Sequence, residues 1–207
     1  MSDELSEYER RLDDPAFYAQ RPHPLSPEVE FRVRPDRISW QDGRGRSGHM
    51  LFSDIASLRL TYDPARLMSP RHILDVTGRD RRRLRITSNT YRGMAQWRAR
   101  NRAFGAFLRE LHRRIAAVNP AVEARIGRGP VGFVLHMGLW ALMLVALAIG
   151  VALSLRAGQT GAALILGAMV AYFAWMGFTT ARLNLPRSYE VSALPEALLP
   201  EPGESDV

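Results

Sequence analysis

Residues 131–155 read VGFVLHMGLWALMLVALAIGVALSL, with one ionisable side chain, His136. Residues 161–181 read GAALILGAMVAYFAWMGFTTA, with none. At about 1.5 Å per residue, a helix over either run crosses a hydrocarbon core of about 30 Å. Only Arg156-Ala157-Gly158-Gln159-Thr160 separates them. The pair predicts a transmembrane hairpin with helices at 131–155 and 161–181 and an external loop at 156–160. The first run is apolar on every side, unlike the one-sided surface helix of a soluble protein.

Arginine placement orients the hairpin. All 28 basic residues are Arg, a usage that matches a GC-rich genome. Twenty-five precede the hairpin, Arg156 lies in its loop, and Arg182 and Arg187 follow it. Basic residues near helix ends stay on the cytoplasmic side. Arg125, Arg128, Arg182 and Arg187 therefore predict both termini in the cytoplasm. The acidic start, Met1-Ser2-Asp3-Glu4, has no apolar core of a signal peptide. With no Cys in the chain, disulfides and thiol catalysis are excluded.

Outward from the hairpin, residues 1–28 are polar and interrupted by four prolines, which predicts a loose arm with a short helix over 4–12. From Glu30 the pattern turns to period two, with Phe31 and Val33 opposed to Arg32 and Arg34. Further short strands are expected at Ile38–Trp40, His49–Phe52, Ile55–Tyr62, Arg71–Thr77 and Arg82–Thr87. Hairpin turns at Pro35-Asp36, Asp42–Arg46 and Gly78-Arg79-Asp80 link most of them. These connections leave no room for crossovers, so the sheet should be antiparallel. Met94, Trp97, Phe104, Phe107, Leu108, Leu111, Ile115 and Val118 then form a single helical stripe, ended by Asn119-Pro120. The stripe is expected to close the sheet; an Arg-rich helix lying on the membrane is the competing reading.

Antiparallel strands followed by one amphipathic helix resemble the pleckstrin-homology (PH)-like domains that short bacterial membrane proteins join to a few transmembrane helices. The stretch Leu51-Phe52-Ser53-Asp54-Ile55-Ala56-Ser57-Leu58-Arg59-Leu60 is similar to a strand opening common in that group, and Trp97 falls where the group's capping helix lies. The resemblance covers about 29–119. It implies an α+β fold: a small antiparallel PH-like sandwich or barrel capped by one C-terminal helix. A linker at 120–130, the hairpin and a cytoplasmic tail at 182–207 complete the order. That fold has seven strands; six are clear, and either the His49 region or the arm supplies another. The implied location is the bacterial inner membrane. Phosphoinositide binding around a first hairpin, which would point at Arg34 and Arg37, is not carried over.

Between 31 and 130 there are 22 Arg and 8 acidic residues. Arg44 and Arg46 in one turn, and Arg79, Arg81, Arg82 and Arg83 in another, are candidate contacts for anionic lipid, at about 1 kcal/mol per Arg at the interface. A solvated turn explains the same residues. Ala146, Gly150 and Ser154 place small residues on one face of the first helix, and Ala163, Gly167 and Ala171 do so on the second. These faces should pack together or join copies of the chain. The five His residues share no metal-ligand spacing, and no phosphate loop or nucleophile motif is present. No cofactor, nucleic acid or enzymatic activity is expected. The tail at Leu183–Pro200, rich in Leu and Pro, reads either as an acidic disordered tail or as an extended segment that docks.

Two functions follow as expectations. One is a membrane-anchored adaptor whose basic domain meets a protein or anionic headgroups. The other is a structural subunit of a larger membrane complex assembled through the hairpin.

Overall fold

A computed structural model describes residues 11, 13–63, 71–93, 96–196 and 199–200. The chain forms two compact units. One comprises 1–126 and 187–207, and the other is Gly127–Pro186.

The first unit opens with a four-stranded antiparallel meander: β1 (Phe17–Gln20), β2 (Val29–Val33), β3 (Arg37–Asp42) and β4 (Ser47–Leu51). A single 3-10 turn, Phe52–Asp54, leads into a second meander of β5 (Ile55–Asp63), β6 (Arg71–Gly78) and β7 (Arg83–Thr87). A small hairpin of β8 (Asn89–Gly93) and β9 (Gln96–Ala99) precedes α1 (Asn101–Val118). Strand β10 (Glu123–Ile126) then joins the β5 edge, and β11 (Arg187–Tyr189) joins β10. The architecture is mixed α+β with antiparallel sheets, as expected.

The core explains the order. Phe31 and Ile38 from the first sheet, Leu58, Leu60, Leu74 and Ile86 from the second, and Phe104, Phe107, Leu108, Leu111 and Ile115 of α1 are buried together. The helical stripe is therefore core, not a membrane-lying surface. Val118, at its end, is 46% exposed. Asn119 closes the helix and donates from Nδ2 to the carbonyls of Phe52 and Ile55, both at 3.1 Å.

Four expectations are corrected. The loose arm at 1–28 contains β1, whose four residues are all buried. Tyr18 packs against Phe104 and Phe107 and donates its hydroxyl to the Thr87 carbonyl at 2.6 Å. Both the arm and the His49 region thus supply strands. The expected helix at 4–12 lies outside the described residues apart from Arg11.

Helix α1 begins at Asn101, not Met94. Trp97 is on β9, opposite Tyr91, with ring centroids 5.4 Å apart. Arg100 is buried and its guanidinium donates to the Ala19 carbonyl, so the chain there serves β1 rather than a helical face. Met94 lies outside the described residues.

The 120–130 linker contains β10, which pairs with β5 in parallel. Every pair among β1–β7 is antiparallel, but α1 later provides the long crossover that a parallel pair needs. The tail does not begin as a free segment: β11 pairs antiparallel with β10, Ile126 opposite Arg187.

The second unit is α2 (Pro130–Arg156) and α3 (Thr160–Asn184), both long and apolar enough to cross a membrane. Pro130 opens α2, where its missing N–H costs nothing. Gly158 closes the helix with φ +70°, a left-handed cap that glycine adopts without strain. At the other end Gly127, φ +75°, lies against Asn184, and a Cβ there would collide with the Asn184 carbonyl. The outer faces carry exposed Val134, Leu135, Leu142, Ile149, Leu164, Ile165, Trp175 and Phe178. An apolar surface of this extent marks a membrane or protein interface.

Candidate anion-binding surface

The six arginines proposed from sequence do not form one patch. Arg44 and Arg46 occupy the β3–β4 turn, built around Asp42, whose Oδ1 accepts the backbone N–H of both at 3.0 and 2.9 Å. Arg79, Arg81, Arg82 and Arg83 lie in and beside the β6–β7 turn, where Arg81 takes a left-handed φ of 65°. That turn is held at the other end of β4: the Arg79 N–H donates to Asp54, and Gly78 lies beside Met50. The five residues of β4, about 16 Å at strand rise, separate the two turns.

Half of these charges already have partners. Arg46 pairs with Asp42 at 2.7 Å, Arg82 with Asp80 at 3.0 Å, and Arg83 with Asp75 at 2.6 Å. Asp75 is 4% exposed and also holds Arg85 at 2.9 Å, so this cluster serves the sheet. Arg44, Arg79 and Arg81 have no carboxylate partner among the described residues.

Within the second sheet, the β6–β7 turn and strand β10 meet β5 at different levels. Ile126 is opposite Leu60, whereas Gly78 is opposite Ile55. Five residues of β5 separate those levels, about 17 Å within the sheet.

A better-formed basic surface lies on the outer face of the first sheet. Inward residues Phe31, Val33, Ile38 and Met50 leave the alternate positions outside. Arg32, Ser39 and His49 stand side by side on β2, β3 and β4 by register. With Glu30, Arg34 and Arg37 they line an open depression of about 590 Å³. Arg32 lies over the Phe17 ring, 5.3 Å from its centroid, and Arg11 stacks on the same ring at 4.6 Å. Arg11 also pairs with Glu30 at 2.8 Å, which offsets the one acidic lining residue. Arg37 forms a two-pronged contact with Asp36 at 2.9 and 2.7 Å, and that hydrogen bonding holds the Asp36 carboxyl below its usual range. Arg32 and Arg34 are exposed and have no carboxylate partner among the described residues. The outward setting of Arg32 and Arg34 is visible in the period-two pattern. Ser39 and His49 join them only through strand register.

The tail segment is docked on this unit. Tyr189 and His112 stack with centroids 5.9 Å apart, and Val191 and Leu199 are buried in the core. Arg109 pairs with Glu196 at 2.6 Å. Among the described residues no group of three or more His, Asp or Glu is placed to hold a metal ion.

Within the helix pair, the small residues only partly meet the expectation. Gly150 faces Leu166, which a Cβ would approach to 3.3 Å, Ser154 is half-buried, and Ala163 is buried. Ala146 and Ala171 are exposed, and a Cβ at Gly167 would meet nothing within 4 Å. The closest approach that sequence reading missed is Gly177, on the face of Trp140. Trp140 also meets Phe173 at 6.0 Å and donates from Nε1 to His136 at 3.1 Å.

No protein-family description, curated protein or solved structure matches the chain.

Proposed function

We propose that this protein is a non-enzymatic membrane protein of the bacterial inner membrane. It presents a basic PH-like domain at the cytoplasmic face, where the domain meets a protein partner or an anionic headgroup. One observation carries the reading. The two long apolar helices leave from and return to adjacent strands: Ile126 and Arg187, which border them, are register partners. Both outer ends of the pair therefore belong on the side of the membrane that holds the domain. The Arg bias assigns that side to the cytoplasm. The order of a four-stranded meander, a three-stranded meander and a helix buried against both supports the PH-like assignment.

The test uses the absence of native Cys. Single cysteines placed at Gly45, Gly158 and Ser192 are probed in intact and permeabilised cells with a membrane-impermeant maleimide. The reading expects Gly158→Cys to be labelled in spheroplasts and the other two only after permeabilisation. Labelling of all three in spheroplasts, or of Gly45→Cys alone, overturns it.

A second reading is a structural subunit of a larger membrane complex. It is favoured by Gly132, Gly138, Gly161 and Gly167, where a Cβ would meet nothing within 4 Å. Flat backbone of this kind lets helices approach closely in lipid. Loss of assembly on Gly167→Leu, with insertion retained, would support it.

A further inference from the structure

We propose that the flank of α1 on which residues 190–200 lie is a docking site for an acidic, extended segment of a partner protein, and that this chain's own tail is the occupant such a partner displaces. The inference names the partner class for the domain read as a recognition module, and rests on that reading.

The tail is seated as a ligand would be. Its sheet pairing ends at Tyr189. Among the described residues beyond it, the backbone makes two hydrogen bonds, and both stay inside the segment. The Ala193 N–H donates to the Glu190 carbonyl, and the Leu199 N–H donates to the Glu196 carbonyl. Side chains supply the hold on the domain. Val191 and Leu199 are buried in the same core cluster as Leu108, Leu111 and Ile115, and Leu194 packs against that cluster. Between these anchors Glu196 takes a two-pronged contact from Arg109, Nε to Oε1 at 3.0 Å and Nη2 to Oε2 at 2.6 Å. Arg109 is one helical turn from His112, which bonds Tyr189, so the tail follows one flank of α1.

The contacts form a short pattern. Apolar Val191 is followed five residues on by acidic Glu196, and three further by apolar Leu199. Pro195 and Pro200 stiffen the segment, which lowers the ordering cost of seating it. A partner segment with the same groups at the same spacing makes the same contacts. Charge selects for an acidic one. Residues 190–207 hold five acidic side chains and no basic one, whereas 31–130 hold 22 Arg against 8 acidic residues. Opposite charge draws such a segment to the domain, most strongly at low salt.

The hold is light enough to exchange. The Arg109–Glu196 pair is exposed on both sides, 54% and 66%, where solvent weakens an ion pair. The tail's advantage over a free segment is its tether, which gives it an effective concentration on the order of millimolar. Loosening one contact of the tail therefore opens the site.

The test uses full-length protein in phosphatidylcholine nanodiscs and a fluorescein-labelled peptide of residues 188–202, followed by anisotropy at low ionic strength. Wild type, with its tail seated, should bind the peptide weakly. Glu196→Arg sets the tail against Arg109 and should tighten peptide binding about tenfold or more. Leu199→Ser, which removes an apolar anchor, should act in the same direction. Arg109→Glu combined with Glu196→Arg restores the ion pair with its signs reversed and should close the site again. A peptide carrying Val191→Ser and Leu199→Ser should not bind. Equal affinity of wild type and Glu196→Arg, or binding by neither, overturns the proposal. So does equal binding of a scrambled peptide of the same composition, which would mark diffuse attraction. If Leu199→Ser loses its fold, the exposed Glu196→Arg decides alone. The cysteine topology result does not depend on the seating of the tail, so failure of the docking site and failure of the membrane reading are distinguishable.

Discussion

The Tyr189 hydroxyl lies 2.8 Å from Nε2 of His112, and the His112 Nδ1 lies 2.8 Å from the Leu108 carbonyl. A carbonyl only accepts, so Nδ1 carries the hydrogen and Nε2 accepts from the tyrosine. The imidazole is neutral, with both nitrogens satisfied inside the core. Tyr189 is on β11, just after the second apolar helix. One partly buried hydrogen bond therefore fastens the returning chain to α1, the helix that closes the domain.

Tyr189→Phe should leave the buried Nε2 without a donor and cost about 1–3 kcal/mol. Hydrogen exchange on the full-length protein should show faster exchange in β10 and β11. Wild-type protection in both strands would show that pairing alone holds the segment.

Stability should fall on mild acidification. Burial lowers the pKa of His112 to about 4 and that of His72 to about 4, from 6.5. The folded values lie below the unfolded ones, so protonation favours unfolding. The contribution is complete above about pH 6.5 and is lost as pH falls toward 4. A difference of about 2.5 units corresponds to roughly 3 kcal/mol for each residue. Denaturant midpoints followed from pH 7 to 4 should decline, and His112→Gln should flatten the decline. A midpoint constant from pH 6.5 to 4.5 contradicts the prediction.

Strand β1 should be indispensable although it lies in the polar arm. Tyr18→Ala removes a fully buried ring and its bond to Thr87, and should destabilise by about 3–5 kcal/mol. Gln20→Ala also breaks a lock, because Gln20 donates to the Arg85 carbonyl at 2.7 Å and accepts from the Thr87 N–H at 2.6 Å. Thermal melts of both variants check this; an unchanged melting temperature for Tyr18→Ala would refute it.

In the helix pair, Gly177→Leu should disrupt packing by forcing a side chain onto Trp140, at about 1–3 kcal/mol. Gly167→Leu has open space and should leave pair stability unchanged. Differential scanning fluorimetry in detergent separates them. Equal effects would place the close contact elsewhere.

What was legible from sequence was what is written locally. The two apolar runs need no partner to be recognised, and their helices extend the expected spans by one to three residues. The alternation around Phe31 and the stripe from Phe104 to Ile115 repeat with a period, so each announces its buried face. The short elements β1, β10 and β11 have three or four residues, too few for a period, and the partners of β10 and β11 lie remote in sequence. Trp97 satisfied a helical spacing, yet its pairing with Tyr91 across a hairpin prevailed.

Charge divided in the same way. The sequence by itself determined that this is an Arg-rich domain beside two apolar helices, because composition and hydropathy are properties of the chain. Only the tertiary structure decided which guanidinium groups meet a carboxylate. Asp75 pairs with Arg83 and Arg85 across a strand pair, whereas β-sheet register sets Arg32, Ser39 and His49 abreast on an open face. Coulomb attraction acts through space over a few ångströms, and which residues come that close is set by folding.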